Sequence, residues 1–172
     1  MRLYLIGMPG AGKTTLGRAL ATAYQVPFFD LDTEIVRRER RSITDIFAAE
    51  GEAYFREQEA AMLREVVQAQ PEMVLATGGG TPCFHQNLDI LLSTGLTLYL
   101  EVPLDELVQR LQRSAANRPL LAQLSDPAAL AVRMHETFAA RQQFYERAPL
   151  RTPPTKSVEA VRRLIDRYQT TS

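Results

Sequence analysis

The sequence predicts an α/β sandwich built on a mainly parallel sheet, from three observations. Short apolar runs alternate with longer stretches of helical periodicity along the chain, which puts helices on the faces of a sheet. Six of the nine glycines fall in two clusters, each directly after an apolar run, and open α/β sheets bind ligands at the carboxyl ends of their strands. The 172 residues suit one domain, with no internal repeat, low-complexity segment or long linker to divide them.

Leu3–Ile6 reads as a buried strand, and Lys13–Tyr24 as a helix with Leu16, Leu20 and Tyr24 on one face. Val26–Phe29 is a second short strand, with Pro27 tolerated near its start. Two helices follow, over about 33–50 and 52–70, more than a simple crossover needs. That excess suggests an inserted cap where a second substrate could sit. Glu72–Ala76 is a third strand ending at three glycines, Phe84–Ser93 a helix, and Leu96–Leu100 a fourth strand. Pro103 opens a helix running to about Arg113. The stretch from Ser114 to Pro127 is polar and proline-interrupted and reads as a mobile loop. A long helix follows to about Arg147, then a short strand at Leu150–Thr152 against Pro153-Pro154. Ser157 caps a last helix carrying Val161, Leu164 and Tyr168.

Composition narrows the function. The 45% apolar and 23% charged fractions are ordinary for a globular protein and exclude intrinsic disorder. Twenty basic and twenty acidic residues cancel, which removes the general electrostatic case for nucleic acid or an anionic membrane. An anionic ligand must then be held by local geometry. One cysteine and two histidines cannot build a Cys/His zinc site or an intramolecular disulfide. No apolar run approaches a membrane span, so a cytoplasmic location is expected.

The first glycine cluster is Gly7-Met8-Pro9-Gly10-Ala11-Gly12-Lys13-Thr14, a full match to the phosphate-binding loop, in the strand–loop–helix setting that the pattern requires. Its backbone N–H groups and the helix N-terminus suit a polyphosphate. Lys13 reaches the β- and γ-phosphates in this reading, and the Thr14 hydroxyl ligates Mg²⁺. An ordinary glycine turn with an exposed lysine is the competing account, but only Lys13 and Lys156 are lysines in this arginine-rich chain. Thr15 stands where a dinucleotide fingerprint would have its third glycine.

Gly78-Gly79-Gly80 is either a strand-to-helix turn or a close backbone approach to a ligand. Three glycines exceed a turn's need, since each costs roughly 0.5–1 kcal/mol relative to alanine. Asp30 and Asp32 follow the second strand. If the backbone is still extended there, both carboxylates face the phosphate loop and one holds Mg²⁺; alternatively they cap the following helix. Arg56, Arg118 and Arg141 read from the residues alone as solvated side chains, Arg56 with a surface ion pair to Glu52. Cys83 reads as a near-core residue and His85 and His135 as surface.

In this order and spacing, the phosphate loop, Asp30-Leu31-Asp32, Glu50-Gly51-Glu52…Phe55-Arg56, the triple glycine, Arg118-Pro119-Leu120-Leu121 and Arg141-Gln142-Gln143-Phe144-Tyr145 resemble the shikimate kinase family over nearly the whole chain. The resemblance implies a single kinase domain, 1–172, of the nucleoside-monophosphate-kinase-like P-loop fold. Its three-layer sandwich has a central five-stranded parallel sheet, a substrate cap at about 33–60 and a lid at about 113–127. It implies transfer of the ATP γ-phosphoryl to the 3-hydroxyl of shikimate, with Mg²⁺, on the route to chorismate and aromatic amino acids. Gly10, Ala11, Gly12, Lys13, Thr14, Thr15, Arg110 and Arg118 would bind nucleotide, and Thr14 and Asp30 the metal. Arg56, Arg141, Asp32 and the Gly78, Gly79 and Gly80 backbone would bind shikimate; Lys13, Asp32 and Arg118 would act in catalysis. The enzyme would be a cytoplasmic monomer without nucleic-acid or membrane partners. The chain departs from the family pattern in a longer Arg110–Arg118 spacing, in Gln142-Gln143-Phe144, and around Pro153-Pro154. A related gluconate or nucleoside-monophosphate kinase is the alternative enzyme, and a nucleotide-binding module without catalysis the alternative class. No Asn-Lys-x-Asp guanine motif is present.

Overall fold

The computed structural model describes residues 1–116, 126–153 and 157–171. Five strands form one sheet in the order β2-β3-β1-β4-β5: β1 (Arg2–Ile6), β2 (Phe28–Asp30), β3 (Met73–Ala76), β4 (Leu96–Tyr99) and β5 (Leu150–Arg151). Every pairing is parallel. Leu3 to Ile6 and Met73 to Leu75 are all fully buried. Consecutive buried residues point to opposite faces of a strand, so helices must cover both sides. The helices are α1 (Lys13–Tyr24), α2 (Leu31–Glu39), α3 (Ile43–Ala69), α4 (Asn87–Thr94), α5 (Leu104–Ala116), α6 (Pro127–Tyr145) and α7 (Val158–Thr171). Among them α1 packs on β3 and α7, and α3 on α4. No helix of the described residues is long and apolar enough to cross a membrane.

The strand order decides where the site forms. From β1 the chain runs outward to the edge strand β2, and from β3 it crosses over β1 to β4. The loops after β1 and β3 therefore leave in opposite directions from neighbouring strand ends, with Leu5 opposite Ala76 and Asp30 opposite the same Ala76. A crevice opens at such a switch point. The two glycine clusters and Asp30, far apart in sequence, share it.

Several boundaries differ from the sequence reading. The helix expected over 33–50 breaks at Arg40, which adopts φ 54°, and α3 starts behind Ser42. The Ser42 hydroxyl accepts from the Asp45 N–H at 3.1 Å and donates to the Asp45 carboxylate at 2.6 Å, a reciprocal cap written in Ser-x-x-Asp. Gly51, expected to separate two helices, does so: at φ 81°, ψ 175° it is a non-helical kink between the two helical stretches of α3. Phe84 lies outside the helix assigned to it. Thr81–Cys83 make one 3₁₀ turn, Gln86 takes φ 58°, and α4 begins at Asn87. Strand β2 begins at Phe28. Helix α5 continues to Ala116, past the expected stop at Arg113, and the proposed lid beyond it, with Arg118, lies outside the described residues.

Candidate active site

The phosphate loop needs its glycines for different reasons. Gly10 and Gly12 hold φ 78° and 96°, where a Cβ is strained. This shape turns the loop back over the start of α1. Lys13, buried at the first helical position, donates to the carbonyls of Gly7 at 2.7 Å and Met8 at 2.9 Å. Its ammonium is thus fixed within the loop. Burial pulls its pKa down to about 8, opposed by the negative charges of Asp32 and Asp30 and assisted by the positive charge of Arg141. The Thr14 hydroxyl donates to Asp30 at 2.6 Å.

The two acids converge by a route other than the extended backbone expected for them. Asp30 ends β2 and caps α2, its other oxygen accepting from the Thr33 N–H at 3.2 Å. Asp32 is already in the first turn of α2. Capping and site-building are therefore compatible for Asp30, because a carboxylate has lone pairs for both. Burial pushes the Asp32 pKa up to about 6, with Glu59 and Asp30 adding to the rise and Lys13 and Arg56 opposing it. A cavity of about 420 Å³ is lined by Gly10, Gly12, Lys13, Thr14, Thr15, Asp30, Asp32, Gly78 and Gly79, with Pro9 and Thr77.

Arg56 corrects the solvated-face reading. It is 7% exposed, paired with Glu52 at 3.1 Å as expected but also with Glu59 at 2.9 Å. Its guanidinium lies 4.3 Å from the centre of the Phe84 ring and 5.1 Å from that of Phe55. Glu59 is the residue that sequence reasoning missed. It is wholly buried and also accepts from the Thr81 hydroxyl at 2.6 Å. Its signal was an acid at helical spacing among Phe55, Leu63 and Val66, all on the buried face of α3.

The triple glycine clears space for the protein's own side chains. A Cβ on Gly80 would stand 2.6–2.8 Å from the Arg56 guanidinium, and one on Gly79 would stand 2.7 Å from Pro9 and 2.9 Å from Arg141. Two guanidinium groups thus rest on consecutive residues. That of Arg56 is already held by Glu52 and Glu59. Beside this site, a second cavity of about 330 Å³ is lined by Ala11, Gly12, Thr15, Leu16, Ala19, Leu100, Arg110, Thr152 and Val158. Arg110 donates to the carbonyls of Gly10 and Ala11, both at 3.2 Å, and pairs with Glu106. Cys83 is half-buried with its thiol pKa pushed up by burial, and His85 and His135 are exposed.

A glycine loop with a buried lysine facing two carboxylates across one crevice, with two guanidinium groups set on the neighbouring glycines, is the arrangement of a P-loop small-molecule kinase. The comparisons narrow that class. The family model for shikimate kinase matches residues 9–169. A shikimate kinase of Azobacteroides pseudotrichonymphae is 40% identical over 149 residues, 87% of each chain. Another, of Bacteroides thetaiotaomicron, is 45% identical over 121 residues, 70% of this chain and 69% of that one. Among solved structures, a Bacteroides thetaiotaomicron shikimate kinase superposes with TM-score 0.84 at 34% identity, covering 98% of both chains. An Acinetobacter baumannii shikimate kinase in complex with shikimate gives 0.83 at 32%, covering 99% of this chain and 94% of that one. The chain belongs to the shikimate kinase family, whose members are ATP-dependent kinases. A Sinorhizobium meliloti gluconokinase, 15% identical with TM-score 0.53, shares the fold alone.

Gly80 offers a direct test of the arginine contact. Its φ of −86° suits any residue, so Gly80→Ala strains no backbone, while its methyl group should displace the Arg56 guanidinium and lower the melting temperature by loosening the buried pair with Glu59. The expected result is an acceptor KM raised about 10-fold, the size of one charged hydrogen bond, with little change in ATP KM. Steady-state kinetics beside a thermal melt check both halves.

Proposed function

We propose that this chain phosphorylates the 3-hydroxyl of shikimate with ATP, giving shikimate 3-phosphate and ADP on the route to chorismate and aromatic amino acids. The observation that carries the reading is the pair of guanidinium groups on Gly79 and Gly80, across from Asp32 and Lys13. It suits a hydroxylated carboxylic acid better than a nucleotide acceptor. Arg56 and Arg141 grip the carboxylate, whose planar geometry matches their forks, and the Gly78–Gly80 backbone lines the ring. Asp32 accepts the hydroxyl's hydrogen bond and aligns its oxygen with the γ-phosphorus. Loop N–H groups from Gly10 to Thr15 and the α1 N-terminus hold the phosphates, and Lys13 bears on the transferring group. Arg110 and the cavity reaching Thr152 and Val158 take the adenine side. Arg118, by family resemblance, closes onto the phosphates with the 113–127 lid and helps to exclude water. The 33–60 cap carries the acceptor.

The neighbouring Thr14 hydroxyl and Asp30 carboxylate are the hard oxygen donors that Mg²⁺ takes with phosphate oxygens and water. Bound there, Mg²⁺ would neutralise charge on the β- and γ-phosphates. The working form in this reading is a cytoplasmic monomer.

Lysine keeps the charge but loses the fork, so Arg56→Lys and Arg141→Lys should each lower kcat/KM for shikimate about 10- to 100-fold, with ATP binding in its absence unchanged. The analogue with its carboxylate reduced to an alcohol should be poor with wild type and lose little more in either variant. That non-additivity marks a shared contact. An alcohol phosphorylated as fast as shikimate, or strictly additive losses, would remove the carboxylate assignment. An ADP-release assay against gluconate and nucleoside monophosphates tests the neighbouring kinase classes.

A further inference from the structure

We propose that the Tyr145 hydroxyl is a positioning group for the acceptor, tying the helix that carries Arg141 to the glycine loop at Gly79. The proposal rests on Arg141 as a carboxylate ligand and adds a residue that does not touch the substrate.

Tyr145 lies one helical turn beyond Arg141 on α6, on the same face. Its side chain is fully buried, with its ring stacked on Tyr99 at 5.2 Å and 23° between planes. The hydroxyl donates to the Gly79 carbonyl at 2.6 Å. A phenol has one proton, so that bond commits it, and the Met8 sulfur at 3.8 Å is a packing neighbour. The oxygen's lone pairs remain for the cation beside them. Burial pushes the phenol pKa far up, and the Arg141 charge pulls it back. The hydroxyl thus holds the backbone of Gly79, the residue over which the Arg141 guanidinium lies.

The tie matters because α6 has few fully covered anchors. Of its 19 residues Met134 and Tyr145 are buried, while Leu130, Ala131, Phe138 and Phe144 pack half-exposed against the core. About 1 Å of misplacement at a reacting centre can cost on the order of 10²-fold. The Tyr145 hydrogen bond fixes the phase of the last turn relative to the glycine loop, and with it the reach of Arg141. Gln142 and Gln143, which precede it, are exposed and leave this anchoring untouched.

Tyr145→Phe keeps the ring and its stacking and removes only the tie. The expected result is a shikimate KM raised about 10-fold, with ATP affinity measured without shikimate unchanged. In a double-mutant cycle with Arg141→Lys the two penalties should fall well short of additive. A merely structural role would instead lower ATP affinity and melting temperature together and add to Arg141→Lys, which overturns the proposal. If Arg141→Lys weakens shikimate while Tyr145→Phe leaves its KM within twofold, this proposal alone fails. If neither moves KM, the carboxylate reading has failed and takes this one with it. Should Tyr145→Phe not fold, wild-type protein labelled at the tyrosine ring carbon bearing oxygen decides by NMR. The Tyr145 resonance should shift on adding shikimate and stay in place with its methyl ester. No shift with shikimate overturns the proposal.

Discussion

Lys13→Ala should cut turnover by on the order of 10³-fold or more in a chain that still folds, since even one preorganised neutral donor is worth about 10²–10³ and Lys13 brings a full charge. The ammonium is already fixed by the loop carbonyls of Gly7 and Met8, so little reorganisation is needed when phosphate charge develops beside it. Loss of the side chain leaves those carbonyls a partner short, but it also removes a desolvated cation, and the two effects oppose each other in stability. A melting temperature within a few degrees of wild type is expected. The pH dependence carries the same assignment. With the Lys13 pKa at about 8, the amine is charged below that pH and neutral above it, and ATP prefers the charged form. Thus kcat/KM for ATP should fall as pH rises through about 8. The kcat limb should lie at higher pH, because bound phosphates stabilise the ammonium. In Lys13→Arg, which cannot lose its charge in this range, any residual activity should lack that limb. Near-wild-type turnover by folded Lys13→Ala would sink the phosphate-loop assignment.

How much of this was legible in the sequence depends on how local the cause is. Lys13–Tyr24 was placed to the residue, because a glycine loop fixes its start and the 3.6-residue pattern its length. The phosphate loop and both aspartates were legible as candidates for the same reason. Strand order is a non-local property. Nothing in the residues says that β3 lies between β1 and β2, and only that order puts Gly79 against Pro9. Arg56 shows the limit most clearly. From its neighbours it is an exposed arginine with an i−4 glutamate, and what buries it is Phe84, from a segment 28 residues later. Glu59 was hidden by the same logic, since an acid on an apolar stripe is explained only once its partners, Arg56 and Thr81, are known. The break at Arg40 was missed for a different reason. The Ser42-x-x-Asp45 cap was local and readable, but Gly51 offered a more conspicuous place to divide the helices.

Asp32→Asn should lower kcat by about 10²–10⁴-fold, the range for losing a positioned acid–base group, while leaving ATP binding intact. Asparagine matches the shape, so what disappears is the negative charge and the capacity to accept the acceptor's proton. The pH profile separates this from simple loss of a hydrogen bond. In wild type, burial and the charges of Glu59 and Asp30 hold the Asp32 pKa at about 6, above the ordinary aspartate value of about 3.9. Below pH 6 the carboxyl is protonated and cannot take the hydroxyl's hydrogen; above it the carboxylate is ready. Hence kcat/KM for shikimate should rise tenfold per pH unit below about 6 and level off above it, and with ATP bound the Lys13 limb follows above pH 8, completing a bell. Asp32→Asn should erase the acid limb. It should also move the alkaline limb to lower pH, because Asp32 is the largest charge holding the Lys13 pKa up against burial. The shift in the second limb is the stricter test, since it requires the two side chains to share one crevice and not merely to matter separately. If the acid limb survives in Asp32→Asn, it belongs to another group and Asp32 is not the proton acceptor. If the alkaline limb stays fixed, Lys13 and Asp32 are not coupled and the geometry assigned to phosphoryl transfer is wrong.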